Sequence, residues 1–221
     1  MKCEDICQQL AELIPDFAVF SKPWQLLEYF RFSELPVNLP LDWNYTTEPQ
    51  HPHRTDVYVG RNVEIQPYCL FSGRVILDDG ARIGPYSFIR GPVYIGKNAK
   101  IGPHCEIIRT IVMNDTCLAH KNSIADSILC ERINFSGLST GCNFPIGKDV
   151  VKVHYDGEVF DYKGKYGVYI DSDVNCGCLT ITMPGCYIPA GSNIVGQCTV
   201  SKFGKVRSMV INKEVDAKIQ S

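Results

Sequence analysis

His120 is the residue of this chain best suited to proton transfer, both by its type and by its sequence context. It lies in the segment LAHKNSIADSILC, where a spacing of apolar residues that is regular elsewhere changes: Ile124 and Leu129 are five residues apart, not six. Histidine acts as a general base because it titrates near neutral pH. Functional residues tend to occur where a sequence departs from the pattern that its fold requires. His120 is therefore a candidate base, and the alternative is a surface histidine at a corner of the fold.

Cysteine is the other reactive residue type present in number. The chain has 11 cysteines, an odd count, and the nearest two are Cys176 and Cys178, so no CxxC pair occurs. Small secreted proteins use cysteines in disulfides, but this chain has 221 residues. Free cysteine packs like a small hydrophobic residue. We therefore expect reduced, mostly buried thiols and a cytoplasmic protein.

The overall composition excludes several classes of partner. The net charge is −2 and the pI is about 6.2, whereas proteins that bind duplex nucleic acid normally carry a basic surface. No apolar run approaches the roughly 20 residues that span a bilayer. The first residues, MKCEDICQQL, are acidic and lack the apolar stretch of a signal peptide. We expect no nucleic-acid partner and no membrane span.

Apolar residues recur at every sixth position through the middle of the chain. A strand would repeat every two residues and a helix every three or four. A second series, with no charged member, follows the first by four residues. The first series is Val59, Ile65, Phe71, Leu77, Ile83, Ile89, Ile95, Ile101, Ile107, Met113 and Ala119. The second is Val63, Cys69, Val75, Ala81, Ser87, Val93, Ala99, Cys105, Ile111, Cys117 and Ser123.

Two coupled series at a period of six indicate an all-β fold, a parallel β-helix of hexapeptide repeats. Each hexad is expected to form a short strand and a tight corner, and three hexads to close a triangular coil of about 18 residues. Both series would point inward, which buries Cys69, Cys105 and Cys117. Glycines at positions 60, 84, 96 and 102 follow the large residue. We expect corners there that need the backbone angles glycine tolerates.

The rest of the chain divides around this repeat. Residues 1–55 contain two stretches of helical spacing, CEDICQQLAELI and PWQLLEYFRF, and then a proline-rich connector. The β-helix is expected over 56–203 and a C-terminal tail over 204–221. Within the β-helix, residues at about 145–167 alternate as VVKVHY and turn at Asp156–Gly157, which predicts a hairpin insertion. Long loops on repeat scaffolds tend to be functional.

Several stretches resemble one family closely. FIRGPVYIGKNAKIGPHCEI, LAHKNSIADSILCERINFSG, CNFPIGKDVVKVHYDGEVFD and KPWQLLEYF, over roughly 22–200, are similar to the left-handed β-helix of hexapeptide-repeat acyltransferases. More closely, they resemble the C-terminal acetyltransferase half of bifunctional sugar-1-phosphate nucleotidylyltransferase/acetyltransferases. The glycine-rich nucleotide loop of that family's other half has no counterpart in this sequence.

The resemblance implies roles for individual residues. It makes His120 the base that accepts the proton of the attacking amine. An arginine and a lysine together can hold a phosphate. The residues that match the family's sugar-phosphate contacts are Arg90, Asn134, Asn143, Phe144 and Lys165. The residues that match small positions lining its CoA groove are Gly137, Cys178 and Gly196.

Some family side chains are replaced here. Ser123 stands where the family has tyrosine, Ile108 where it has the lysine that meets the phosphate, and Lys121 where it has leucine. Arg109 lies beside Ile108. These replacements affect the expected substrate more than the expected reaction, and they also fit a homologue that no longer catalyses it.

Three functions are consistent with this pattern. The first is a homotrimeric, acetyl-CoA-dependent N-acyltransferase of an amino sugar phosphate such as glucosamine 1-phosphate, in sugar-nucleotide or cell-envelope precursor synthesis. The second is a non-catalytic trimer that partners a separate sugar nucleotidylyltransferase. The third is a β-helical zinc carbonic anhydrase, which needs two histidines about five residues apart. His104 and His120 are 16 apart, and His51, His53 and His154 lie outside the regular coils, so no metal is expected.

Overall fold

Parallel strands stack in a left-handed β-helix whose cross-section is a triangle. The computed structural model describes residues 1–14, 17–32, 44–46 and 55–201. We name the three sides of the triangle faces A, B and C in the order in which the chain runs along them. The all-β fold class and the parallel β-helix predicted from the six-residue period are confirmed.

The strands are short and recur once per side of each coil. Face A comprises β2 (Thr55–Val59), β7 (Val93–Ile95), β10 (Ile111–Val112), β13 (Ile128–Leu129), β18 (Val168–Ile170) and β21 (Cys186–Ile188), with β1 (Asn44–Thr46) antiparallel to β2. Face B comprises β3 (Glu64–Ile65), β5 (Arg82–Ile83), β8 (Lys100–Ile101), β11 (Cys117–Leu118), β14 (Asn134–Phe135), β19 (Asn175–Cys176) and β22 (Asn193–Ile194). Face C comprises β6 (Phe88–Arg90), β9 (Glu106–Ile108), β12 (Ser123–Ala125), β15 (Thr140–Gly141), β20 (Ile181–Thr182) and β23 (Thr199–Val200). One strand, β4 (Leu70–Leu77), runs from face C into face A.

The core is built from columns of aliphatic side chains. On face A, the strand register stacks Leu77, Ile95, Val112, Leu129, Ile170 and Ile188, and all six are fully buried. Each fully buried aliphatic side chain contributes on the order of 1.5–3 kcal/mol to folding. The β-helix is therefore stabilised one coil at a time by contacts between neighbouring coils.

The predicted register is wrong beyond Ile107. Ile95 pairs with Val112 and Val112 with Leu129, so these coils contain 17 residues, whereas the coil before them contains 18. Val112 and Leu118, not Met113 and Ala119, consequently occupy the inward column.

Two of the three cysteines assigned to the core are not buried in it, and the shift explains one of them, Cys117. Cys117 faces outward on face B and Cys69 is only partly buried, although Cys105 is buried as expected. All 11 cysteines are free thiols.

The glycines of the repeat allow neighbouring coils to pack closely. They do not adopt unusual backbone angles. The corners carry positive φ at other residues, such as Asn62, Asn98 and His104, each at 55°. A Cβ on Gly84 would lie 2.6 Å from the backbone of Gly102. The expectation that these glycines supply permissive dihedrals is therefore wrong, because it is the neighbouring coil that leaves no room for a side chain.

The N-terminal helices and the hairpin together cover face A. Helices α1 (Cys3–Ala11) and α2 (Pro23–Phe32) and the hairpin strands β16 (Val150–Tyr155) and β17 (Glu158–Lys163) have the predicted types. Trp24 of α2 stacks on Phe160 at 4.6 Å between ring centroids, and Lys22 forms an ion pair with Glu158 at 2.5 Å. The hairpin is therefore fixed against α2. The tail 204–221 and most of the connector, with His51 and His53, lie outside the described residues.

Candidate active site

The candidate base and the three predicted CoA-groove residues lie on one edge of the β-helix. This edge, which we call corner BC, joins face B to face C. The N–H of Leu138 donates to the carbonyl of His120 at 2.9 Å, and that of Leu179 donates to the carbonyl of Gly137 at 3.1 Å. The N–H of Gln197 donates to the carbonyl of Cys178 at 2.8 Å. These bonds stack His120, Gly137, Cys178 and Gly196 in that order, one per coil.

The His120 imidazole lies directly over Gly137. A Cβ on Gly137 would lie 2.6 Å from Nε2 of His120, 2.9 Å from Cδ2 and 3.0 Å from Cε1. The Gly137 backbone N–H donates to no acceptor within the described part of the chain. At this exposed corner an imidazole therefore packs over a residue whose backbone donor has no described acceptor, and these two groups suit proton transfer and stabilisation of an oxyanion.

Gly137→Ala is expected to lower the rate of the reaction that His120 serves by about tenfold or more, because the new methyl group would turn the imidazole out of its present position. Stability should change by less than about 1 kcal/mol, since the displaced atoms belong to an exposed side chain. Steady-state kinetics and thermal denaturation of the variant check both statements.

The same substitution in a His120→Ala background gives the control. If Gly137 acts through the imidazole, the double variant will be no slower than His120→Ala alone. An equal loss in both backgrounds would contradict this role, and would favour a role for Gly137 in binding the acyl donor instead.

A second group of residues lies on the next edge, corner CA, which joins face C to face A. Asp126 is fully buried there and accepts two hydrogen bonds from Arg109, at 2.7 and 2.8 Å. Nδ2 of Asn143 donates to Asp126 at 2.5 Å, and Arg31 of α2 also pairs with it. Burial would raise the pKa of Asp126, but the hydrogen bonds from Arg109 and the charge of Arg31 outweigh it and hold that pKa below its usual range.

The predicted sugar-phosphate residues are divided between these regions. Arg90 and Asn143 lie at corner CA, and Lys165 follows the hairpin and contacts Arg31 through its carbonyl at 2.8 Å. Phe144 is exposed directly after Asn143. Asn134 faces outward on face B instead, in a ladder with Asn175 and Asn193. Within one chain the width of face C therefore separates His120 from most of the predicted acceptor contacts.

Face C contributes a pair that sequence reasoning missed. Oγ of Ser123 donates to the carboxylate of Glu106 at 3.1 Å, and both side chains project outward from neighbouring strands. Because the strand of Ser123 follows the corner that holds His120, this carboxylate belongs to the same surface as the base. Knowing the register of the coils would have identified the pair, since the two residues are direct partners across β9 and β12.

Arg31, Arg109 and Asp126 were missed for different reasons. For Arg109 and Asp126 the repeat itself held a signal. Each coil of 17 residues is one residue shorter at corner CA, first at 108–110 and then at 125–127. Arg31 gave no signal, because it lies on a helix almost 100 residues earlier in the chain.

The described ranges contain no group of three or more histidine, cysteine, aspartate or glutamate side chains placed to hold a metal. A shallow pocket of about 240 Å³ lies on face B, with Arg82, Lys100, Gly102 and Ala119 among its lining residues. None of the described helices is long and apolar enough to cross a membrane.

Comparison with known proteins finds a matching family model and several curated relatives. The family model described as the GMPPB C-terminal domain matches residues 71–140. A protein of Clostridium acetobutylicum named bifunctional protein GlmU is 30% identical over 171 residues, which are 74% of this chain and 34% of that protein. The protein of the same name from Methanococcus vannielii is 26% identical, over 78% of this chain and 47% of that protein.

A solved structure shows a more distant likeness. A mutant of AntD, an N-acyltransferase from Bacillus cereus in complex with dTDP and coenzyme A, aligns with 66% of this chain and 72% of its own, at 17% identity and a TM-score of 0.38. The chain spans between about a third and about half of the length of the curated relatives it matches. It is a hexapeptide-repeat left-handed β-helix protein similar to the C-terminal acetyltransferase half of bifunctional sugar-1-phosphate nucleotidylyltransferase/acetyltransferases.

Proposed function

We propose that this protein is an acyl-CoA-dependent N-acyltransferase whose acceptor is an amino sugar phosphate such as glucosamine 1-phosphate. The observation that carries the proposal is the His120 imidazole packed over Gly137, whose N–H has no acceptor among the described residues. The relatives named GlmU support the same reaction class, and a Sulfurisphaera tokodaii relative is named as a sugar-1-phosphate nucleotidylyltransferase/acetyltransferase. Such a product feeds sugar-nucleotide or cell-envelope precursor synthesis.

The chemistry assigns one task to each of these groups. His120 accepts a proton from the acceptor nitrogen as that nitrogen bonds to the carbonyl carbon of the thioester. The Gly137 N–H donates to the oxyanion that forms, and one well-placed donor of this kind is worth about 3 kcal/mol in the transition state. The C–S bond then breaks, and the sulfur of the leaving CoA takes the proton from His120. Acetyl-CoA is the expected donor, and the reaction needs no metal.

A homotrimer would complete this site. Face A is covered by α1, α2 and the hairpin, whereas outward side chains on face B, such as Lys100 and Asn134, are exposed. Packing of faces B and C between copies would bring Asn134 or corner CA of one copy to His120 of another. The pantetheine arm would lie along corner BC past Cys178 and Gly196, where the small residues leave room.

One observation favours a non-catalytic alternative. Ile108 replaces the family's lysine, and its apolar side chain is only 7% exposed, so it offers no cation to a ligand. A protein that had lost such contacts could bind sugar nucleotides as the partner of a separate nucleotidylyltransferase without transferring an acyl group.

Release of CoA from acetyl-CoA tests the proposal. The acceptors are a panel of amino sugar 1-phosphates, each matched with the corresponding sugar phosphate that lacks the amine. We expect turnover with at least one amino sugar and none with its matched control. Absence of turnover with every acceptor, together with calorimetric binding of a sugar nucleotide, would reject the enzyme and favour the binding partner.

A further inference from the structure

Among the described residues, the ion cluster at corner CA contains two arginines and a single carboxylate. Arg31 and Arg109 both pair with Asp126, and no other described carboxylate pairs with either arginine. The side chain of Arg31 is 6% exposed and that of Asp126 is fully buried. A charge that is shielded from water and left unbalanced is costly, so this cluster is set up to receive an anion.

Arg109 is the member of the cluster that can reach a ligand. Its Nε and one terminal nitrogen are held by the two oxygens of Asp126. Its other terminal nitrogen has no partner among the described residues, and 26% of the side chain is exposed. A guanidinium with two fixed donors is oriented before a ligand arrives, and therefore loses little entropy on binding.

Arg31 connects this guanidinium to the base of the hairpin. The nitrogen of Arg31 that pairs with Asp126 also donates to the carbonyl of Lys165 at 2.8 Å, and its other terminal nitrogen donates to the Tyr162 hydroxyl at 3.4 Å. The side chains of Lys165 and Arg90 have no ion pair within the described ranges. Arg31 of α2 therefore contacts both the backbone of Lys165 and the carboxylate that holds Arg109.

We propose that Arg109, held by Asp126 and by Arg31 of α2, is the phosphate-contacting residue that makes the enzyme select phosphorylated acceptors. Arg31 is a positioning residue in this scheme, and the N-terminal helices belong to the substrate site and are not only a cover for face A. The inference rests on the proposed function, since it names the acceptor group that the site recognises. Arg109 then supplies the positive charge that comes from a lysine in the family, where this chain has Ile108.

Calorimetry on the full chain tests the subsite without any turnover. The probe is glucose 1-phosphate, which has the phosphate but no amine, and glucose is the matched ligand without phosphate. Arg109→Met is expected to weaken binding of glucose 1-phosphate about 10- to 100-fold, as for loss of a charge-assisted hydrogen bond. Binding of CoA should not change.

Arg132 provides a matched control variant. It makes the same two-point contact, with Asp173 at 2.7 and 3.0 Å, on a different edge of the β-helix. Arg132→Met should therefore bind glucose 1-phosphate like the wild type. If Arg109→Met does not remain folded, as judged by circular dichroism, Arg109→Lys replaces it, because lysine keeps the charge but cannot contact both oxygens of Asp126. That variant should weaken binding severalfold.

Arg31→Met tests the positioning role by kinetics. The KM of the phosphorylated acceptor should rise about tenfold, while the KM of the acyl donor stays constant. General loss of structure would change both constants or the amount of folded protein.

The inference is overturned if the wild type does not bind glucose 1-phosphate, if Arg109→Met binds it normally, or if the variant loses CoA affinity instead. Loss of glucose 1-phosphate binding in Arg109→Met without any acyl transfer by the wild type would reject the proposed function and leave the subsite standing.

Discussion

His120→Ala is expected to lower kcat for acyl transfer by about 10²–10⁴-fold, which is the usual contribution of a positioned general base. The imidazole packs over Gly137, whose N–H donates to no acceptor in the described part of the chain. Removing it leaves that donor and the substrate contacts in place, so the KM values should change little. Stopped and steady-state assays of CoA release measure both constants.

His104→Ala is the matched control for this prediction. His104 is also an exposed corner histidine, one coil earlier, but it stacks on Tyr86 at 5.1 Å and takes no part in the proposed chemistry. Its replacement should leave kcat within about twofold of the wild type. Equal losses in the two variants, or a rate for His120→Ala close to that of the wild type, would remove His120 from the role of base.

The periodicity of the sequence predicted most of the architecture. Large apolar residues six apart can be buried together only if the chain turns after each short strand, so the coil follows from the spacing. The hairpin followed from alternation and an Asp-Gly turn, and both residues of the turn have positive φ, 47° at Asp156 and 81° at Gly157. Here local patterns sufficed, because each element is stabilised by neighbours at a fixed distance along the chain.

The register failed where the coils shorten, and the reason is physical. A coil of 17 residues keeps its inward columns only if one corner loses a residue, and a fixed period carried past that point rotates each later residue to a different face. Met113 and Ala119 satisfied the pattern because both are apolar, although only the residues before them, Val112 and Leu118, lie in the column.

The candidate site was predictable only in part. The residues of corner BC, His120, Gly137, Cys178 and Gly196, were named from the family resemblance and not from the coil spacing, because the fixed period of six fails before His120. Arg31 could not be found in this way, because its contact with Asp126 depends on how α2 packs across face A and not on any repeat. A residue supplied by an element outside a repeat has no signature in the six-residue period.

Gly102→Ala is expected to cause the largest loss of stability. A Cβ there would lie 1.2 Å from the carbonyl oxygen of Ala119 and 2.4 Å from its carbonyl carbon, both in the backbone of the next coil. Adjacent coils are joined at this point by a hydrogen bond from the Gly102 N–H to the carbonyl of Leu118, at 2.7 Å. Since backbone cannot turn aside as a side chain can, the two coils must separate. We expect a cost of about 4 kcal/mol or more.

Thermal denaturation at fixed protein concentration measures this loss, which corresponds to a fall in Tm of about 8–16 °C for a chain of this size. The matched control is Gly141→Ala, at a buried position where the new methyl group would meet only side chains, Cδ1 of Ile124 at 3.3 Å and Oγ1 of Thr182 at 3.5 Å. That variant should stay within about 1 kcal/mol of the wild type. Because Ala119 directly precedes His120, any Gly102→Ala protein that folds should also be slow. A folded, fully active Gly102→Ala protein would contradict the close contact between these two coils, and with it the proposed position of the His120 imidazole.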